Sequence, residues 1–115
     1  MYRFSYAEIV EDSSDEGRSR ERMAFEHAIY LLEKAEPRGL KSSETLEAAQ
    51  FVQKMWSFLI SDLSSGDNGL AESVRADLMS IGLWVIRQAD HLIHERAVSL
   101  DALITVHRTI RDGLQ

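Results

Sequence analysis

The chain has 115 residues, 44% of them hydrophobic and 28% charged, and this composition predicts one globular domain over residues 1–115. It contains no cysteine, which excludes disulfides, thiolate metal sites and cysteine nucleophiles. The formal net charge is −6, and a field of that sign repels phosphate backbones. Direct nucleic-acid binding is therefore not expected.

Residues 1–12 are predicted to form an N-terminal extension that is rich in aromatic side chains and too short to build a core. Its large apolar residues are Tyr2, Phe4, Tyr6 and Ile9. Two interpretations are open: the extension packs across the rest of the protein and shields helix ends, or it helps to line a groove for a partner. No apolar run typical of a secretory signal or a membrane span is present, so we expect a cytoplasmic protein without membrane insertion.

Two helices are predicted in the first half of the chain. The first covers about residues 14–36, opens with a possible capping box at Ser13–Glu16, and stops before Pro37. The second covers about residues 43–65, with Ser42 or Ser43 as its cap. Its apolar stripe is wider than one seam, so we expect it to contact neighbours on two sides.

Two further helices are predicted after the turn-forming residues 64–69. The third covers about residues 70–96 and is expected to be longer than the others, so that its overhang offers a docking or dimer surface. The fourth covers about residues 99–113, with Ser99 as its cap. The short connections favour antiparallel neighbours, and the predicted fold is an all-α antiparallel bundle of about four helices.

No arrangement of residues predicts catalysis or cofactor binding. The pattern glycine, any, serine, any, glycine of a nucleophile elbow is missing, as is a glycine-rich phosphate loop. His91 and His94 have a spacing compatible with metal binding, but no second pair complements them, and a solvated helix end is the preferred interpretation. We predict a protein that is not an enzyme and has no catalytic, cofactor or metal site.

The two tryptophans are candidates for partner binding, because tryptophan is enriched at binding hot spots. Trp56 and Trp84 both lie near the apolar stripes of their helices. For each tryptophan we favour a position in the core. The alternative, functional interpretation is that the side chain lines a partner groove beside the N-terminal extension.

The third predicted helix carries a resemblance to a known family. The run from Glu72 to Val85 resembles the signature of the bacterial flagellar biosynthesis regulator FlaF. The blocks 56–63, before this run, and 110–114, after it, also resemble that family and occur in the same order. The residues that carry the signature are Arg75, Ala76, Leu78, Ser80, Ile81, Trp84 and Val85. The resemblance covers essentially the whole chain.

This resemblance implies a cytoplasmic protein needed for the production and export of flagellin, working with flagellin itself and either in opposition to or in partnership with the regulator FlbT. One hypothesis is a secretion chaperone, whose apolar groove covers the terminal amphipathic helices of flagellin before export. An alternative is a post-transcriptional regulator that acts on flagellin mRNA, directly through Arg18, Arg20 and Arg22 or through FlbT. A third possibility is an oligomerisation module that forms a homodimer.

Overall fold

The protein is all-helical in the part that the structure describes. This computed structural model describes residues 14–65, 70–96 and 99–113, with side chains from residue 20 onward. The helices are α1 (Ser14–Ala35), α2 (Ser43–Leu63), α3 (Glu72–Ile93) and α4 (Asp101–Asp112), and a 3-10 turn (Glu36–Arg38) follows α1. The predicted fold of about four helices is confirmed. None of the helices in these ranges has the length and apolar character that a membrane span needs.

A serine hydroxyl caps α2, whereas α4 starts without a side-chain cap. The Ser42 Oγ accepts a hydrogen bond from the Thr45 backbone N–H at 3.1 Å, so that Ser42 rather than Ser43 caps α2. The prediction of Ser99 as the cap of α4 is corrected: the cap position is Leu100, which has no side-chain cap, and the Ser99 Oγ one residue before it accepts from the Asp101 N–H at 3.0 Å. The predicted capping box at Ser13–Glu16 depends on Ser13 and on side chains before residue 20, which lie outside the described part of the chain, as does the extension over residues 1–12.

The turn between α1 and α2 depends on a proline and a glycine. Pro37 stands at the start of the 3-10 turn, where a missing N–H costs nothing. Gly39 ends the turn with φ 97°, in the region that disfavours residues with a Cβ. The hydroxyls of Ser42 and Thr45 both donate to the Gly39 carbonyl, at 2.8 and 2.7 Å. These bonds fix the direction in which α2 leaves the turn.

The predicted extra length of the third helix is corrected by the structure. Helix α3 has 22 residues, like the 22 of α1 and the 21 of α2, and so does not overhang them by length. It starts only after Ala71, which has an extended backbone. It ends at Ile93, because Glu95 has φ 57° and the backbone N–H groups of His94, Glu95 and Arg96 turn back onto the last carbonyls of the helix.

The helices that pack closely on one another run antiparallel. Helix α1 packs on α2 and on α4, and α2 packs on α3. The α1–α4 pair is antiparallel, because Arg22 reaches the Arg111 carbonyl near one end. At the other end, the carboxyls of Glu36 and Asp101 are close enough for a hydrogen bond that raises the pKa of Glu36. The order around the bundle is therefore α4, α1, α2, α3.

The core takes side chains from all four helices. Its buried members include Phe25, Leu32, Val52, Trp56, Val85, Ala89, Leu103 and Ile104. Helices α2 and α3 are in close contact at Gly82, where an added Cβ would lie 2.8 Å from Trp56 Cε3 and 2.9 Å from Ile60 Cδ1. A side chain at Gly82 would therefore push these two helices apart.

Candidate functional site

One side of the bundle is open. In a closed four-helix bundle each helix packs on two neighbours, but α3 and α4 are not a closely packed pair here. A groove of about 440 Å³ lies between them. Its lining residues are Ser80, Ile81, Trp84, Thr105, Val106, Thr109 and Ile110.

The surface that lines the groove is almost entirely apolar. Ile81, Trp84, Val106 and Ile110 pack against the core on their inner sides and remain partly exposed. The Thr109 hydroxyl donates to the Thr105 carbonyl at 2.9 Å within its own helix. The hydroxyl is therefore already hydrogen-bonded within α4. The groove has few polar groups that could bind a polar ligand.

The size of the groove suits a short length of helix. The lining residues of α4 run from Thr105 to Ile110, a rise of about 8 Å at 1.5 Å per residue. Such a length corresponds to about one and a half turns, enough to contact two or three side chains on one face of a guest helix. The volume also falls within the range of pockets that bind small molecules, roughly 300–1,000 Å³.

A buried hydrogen bond holds α4 next to the groove. His107 is 0% exposed, and its Nε2 accepts from the Trp56 indole N–H at 3.0 Å. Since the indole only donates, His107 carries its proton on Nδ1, which donates to the Leu103 carbonyl at 2.7 Å. Burial lowers the pKa of His107 and keeps the ring neutral. This pair positions the helix turn that carries Val106.

The described residues show no metal-binding cluster of three or more His, Asp or Glu side chains. His94 instead lies against its own helix end, where its Nδ1 is 2.9 Å from the Asp90 carbonyl oxygen and 3.2 Å from the Asp90 carboxylate. His91 stands half-buried one turn before it. The groove, and not the histidines, is the structural feature that indicates a function.

The comparisons with known proteins identify the family. The model of the flagellar protein FlaF matches residues 2–114, nearly the whole chain. The chain belongs to the FlaF family. Comparisons with curated proteins and with solved structures find no match.

The FlaF signature residues of α3 have different places in the structure. Ser80, Ile81 and Trp84 line the groove, whereas Val85 is 0% exposed in the core. Leu78 is half-buried and Ala76 is exposed. Arg75 donates from Nη1 to the Ser65 carbonyl at 3.3 Å and so ties the start of α3 to the end of α2. Some signature residues therefore line the groove, one lies in the core, and one connects α3 to the end of α2.

The predicted partner-binding residues divide in the same way. Trp84 lines the groove, and its contact with a partner stays a prediction. Trp56 is 1% exposed and fills the core, which was the favoured interpretation; its alternative role in partner binding is corrected, because it cannot reach a partner in this fold. Tyr2, Phe4, Tyr6 and Ile9 lie outside the described residues.

The α4 side of the groove was missed by sequence reasoning. The apolar stripe of Leu103 and His107 correctly predicted the buried face of α4. It gave no indication that the neighbouring residues Thr105, Val106 and Thr109 line a groove. A usable signal was Val106 together with Ile110, which form a second, narrower apolar row on the same helix.

A second apolar patch lies on the opposite side of the bundle, between α1 and α2. Met23 and Tyr30 are 66% and 57% exposed, seven residues apart on one face of α1. Between them, His27 stacks on Tyr30 and meets Phe51 of α2 edge to face, with ring centroids 4.8 Å apart.

Proposed function

We propose that this FlaF-family protein is a cytoplasmic binding protein and secretion chaperone for flagellin, which receives an amphipathic helix of flagellin in the groove between α3 and α4. The observation that carries the proposal is the open side of the bundle. A guest helix there takes the place of the missing α3–α4 contact and completes the packing of the bundle.

The lining of the groove supports a helical guest. Trp84 and Ile81 present large apolar surfaces from one wall, and Val106 and Ile110 from the other. Burying apolar surface gains about 25 cal/mol for each Å² removed from water. The apolar face of an amphipathic helix provides that surface in a continuous row, which a polar or flexible peptide does not.

Membership in a family of flagellar proteins supports flagellin as the guest. The terminal segments of flagellin are amphipathic helices that pack together in the filament, an expectation that comes with the family. Before export, those apolar faces need cover. A small acidic protein with one apolar groove supplies it while its net charge of −6 keeps the complex soluble.

The alternative of regulation through flagellin mRNA has weaker support. Six described arginine and lysine side chains lie within 4.0 Å of a carboxylate, among them Arg22 beside Glu26 and Arg108 beside Glu33. Paired charges release fewer counterions on meeting a phosphate backbone. Regulation through FlbT is compatible with the groove, since that partner is also a protein.

The test is a pair of substitutions to glutamate at exposed positions, one in the groove and one outside it. Thr109→Glu puts a carboxylate at the exposed wall of the groove, and Leu83→Glu puts one on the 54%-exposed Leu83, which does not line the groove. Binding to purified flagellin from the same bacterium is measured by isothermal titration calorimetry, and helix content by circular dichroism.

We expect Thr109→Glu to weaken flagellin binding by roughly ten-fold or more, because a carboxylate is desolvated against apolar surface. Leu83→Glu should bind like the wild type. Helix content should be unchanged in both variants. Equal affinity in all three proteins would refute the groove as the flagellin site.

A further inference from the structure

The two ends of the groove carry opposite charges. Asp77 and Arg87 are exposed residues of α3, and neither forms an ion pair with any other residue that the structure describes. Asp77 is four residues before Ile81 and Arg87 is three residues after Trp84. They therefore frame the lining residues of α3, one on each side.

Helical spacing places both charges towards the groove. At 100° per residue, Asp77 lies between the directions of Trp84 and Ile81, about 20° from the first and about 40° from the second, and Arg87 lies about 20° beyond Ser80. The ten residues from Asp77 to Arg87 correspond to about 15 Å along the axis. This distance is about twice the length of the α4 wall, so the charges stand just past the two ends of the apolar surface.

The charged groups of α4 do not cancel this arrangement. Arg111 pairs with Asp112 at 3.1 Å, and Arg108 pairs with Glu33 of α1. Asp101 faces Glu36 of the 3-10 turn that follows α1. Since α4 runs antiparallel to α3, the Asp77 end of the groove is the C-terminal end of α4 and the Arg87 end is its N-terminal end.

We infer that the Asp77–Arg87 pair sets the direction of the guest helix, whose N-terminus lies at Asp77 and whose C-terminus lies at Arg87. A helix carries about half a positive charge at its N-terminus and half a negative charge at its C-terminus. In this direction both ends meet a charge of opposite sign; in the reverse direction both meet a like charge. The guest runs parallel to α3 and antiparallel to α4.

This inference rests on the proposed function, and it adds the chemistry of the partner. The preferred guest has basic or neutral residues before its apolar face and acidic residues after it. Each exposed interaction of this kind changes affinity by roughly two- to five-fold, so the two ends together favour one direction by about ten-fold. The apolar surface supplies affinity, and the charges supply direction.

The experiment uses the full chain and a synthetic peptide of a flagellin terminal helix, acetylated and amidated so that its ends carry no charge. A spin label is attached at the peptide N-terminus or at its C-terminus, and broadening of the backbone amide signals of the protein is measured by NMR. The matched variant exchanges the two charges, Asp77→Arg with Arg87→Asp, and keeps the composition and the net charge.

The N-terminal label should broaden the amides around Asp77 and Ile110, and the C-terminal label those around Arg87 and Thr105. The exchanged variant should lose this preference or reverse it, and should bind the peptide about ten-fold more weakly in the original direction. Equal broadening at both ends by either label, with no effect of the exchange, overturns the inference and leaves the groove as the binding site. A peptide that does not bind the wild-type chain overturns both the inference and the proposed function.

Discussion

The indole N–H of Trp56 in α2 donates a hydrogen bond to Nε2 of His107 in α4, at 3.0 Å and out of reach of water. Phe25 of α1 lies edge-on to the indole and tilted against the imidazole, with both centroid distances 5.8 Å. These three rings join three helices at one level of the core. The groove depends on them, because His107 and Val106 are neighbours on α4.

Removal of the indole donor should destabilise the fold. In Trp56→Phe, the buried Nε2 of His107 has no hydrogen-bond partner, and we expect a loss of about 1–3 kcal/mol in the free energy of unfolding, with a further loss from the smaller ring. Urea denaturation followed by circular dichroism measures it. In the double variant with His107→Phe, the unpaired polar atom is gone, so its cost should be clearly below the sum of the two single costs.

Stability should fall in mild acid because of His107. Burial lowers the pKa of His107 in the folded state below its ordinary value of 6.5, whereas the unfolded chain keeps that value. The unfolded state therefore takes up a proton first as the pH falls, and stability that is complete above pH 6.5 is lost progressively until the pH passes the lowered pKa.

The check is urea denaturation between pH 8 and pH 5 for the wild type and for His107→Gln. The glutamine retains an acceptor for the Trp56 N–H and does not titrate. The variant should lose less stability than the wild type on acidification. Parallel loss in the two proteins would show that His107 does not control the acid response.

Much of the fold was predictable from the sequence, since a stripe of apolar residues on a helix marks its buried face. The stripes of α2 and α4 correctly placed Val52 and Leu103 in the core. The length of α3 was not predictable from its stripe. Leu70 continues the apolar row, but Ala71 is extended and Glu95 has a positive φ, so the helix is shorter than the row.

Gly82 should not tolerate even a methyl group. In a helix interior, alanine is favoured over glycine by about 1 kcal/mol. At Gly82, however, the added Cβ would lie within 3.0 Å of Trp56 and Ile60. We therefore expect Gly82→Ala to destabilise the protein by roughly 1–3 kcal/mol, since α2 and α3 must separate.

The measurement is the urea midpoint, with Gly113→Ala as the matched control. A Cβ on Gly113 would come no closer than 3.4 Å to the nearest atom, the Ile110 carbonyl oxygen. That substitution should be close to neutral. A stabilised Gly82→Ala protein would show that the helices are not in close contact there.

The start of α2 should depend on one of two adjacent serines. Ser42→Ala removes the acceptor of the Thr45 N–H and a donor to the Gly39 carbonyl, and should cost about 1 kcal/mol. Ser43→Ala removes only an exposed hydroxyl contact with Glu44 and should cost little. Thermal unfolding of the two variants separates these outcomes, and equal melting temperatures would contradict the assigned cap.

The groove itself was not predictable from the sequence. An apolar stripe shows which face of a helix avoids water, but not whether another helix of the same chain covers it. Trp56 and Trp84 have similar sequence surroundings, yet one is closed in by α1, α3 and α4 and the other stands at the open side. Only the arrangement of the helices separates a core tryptophan from one that is available to a partner.

Hydrogen exchange of the full chain, with and without flagellin, shows whether flagellin binds in the groove between α3 and α4. Bound flagellin should add protection in α3 around residues 80–84 and in α4 around residues 105–110, on the two walls of the groove. Added protection around Met23 and Tyr30 instead, or none anywhere in the chain, would contradict binding in the groove.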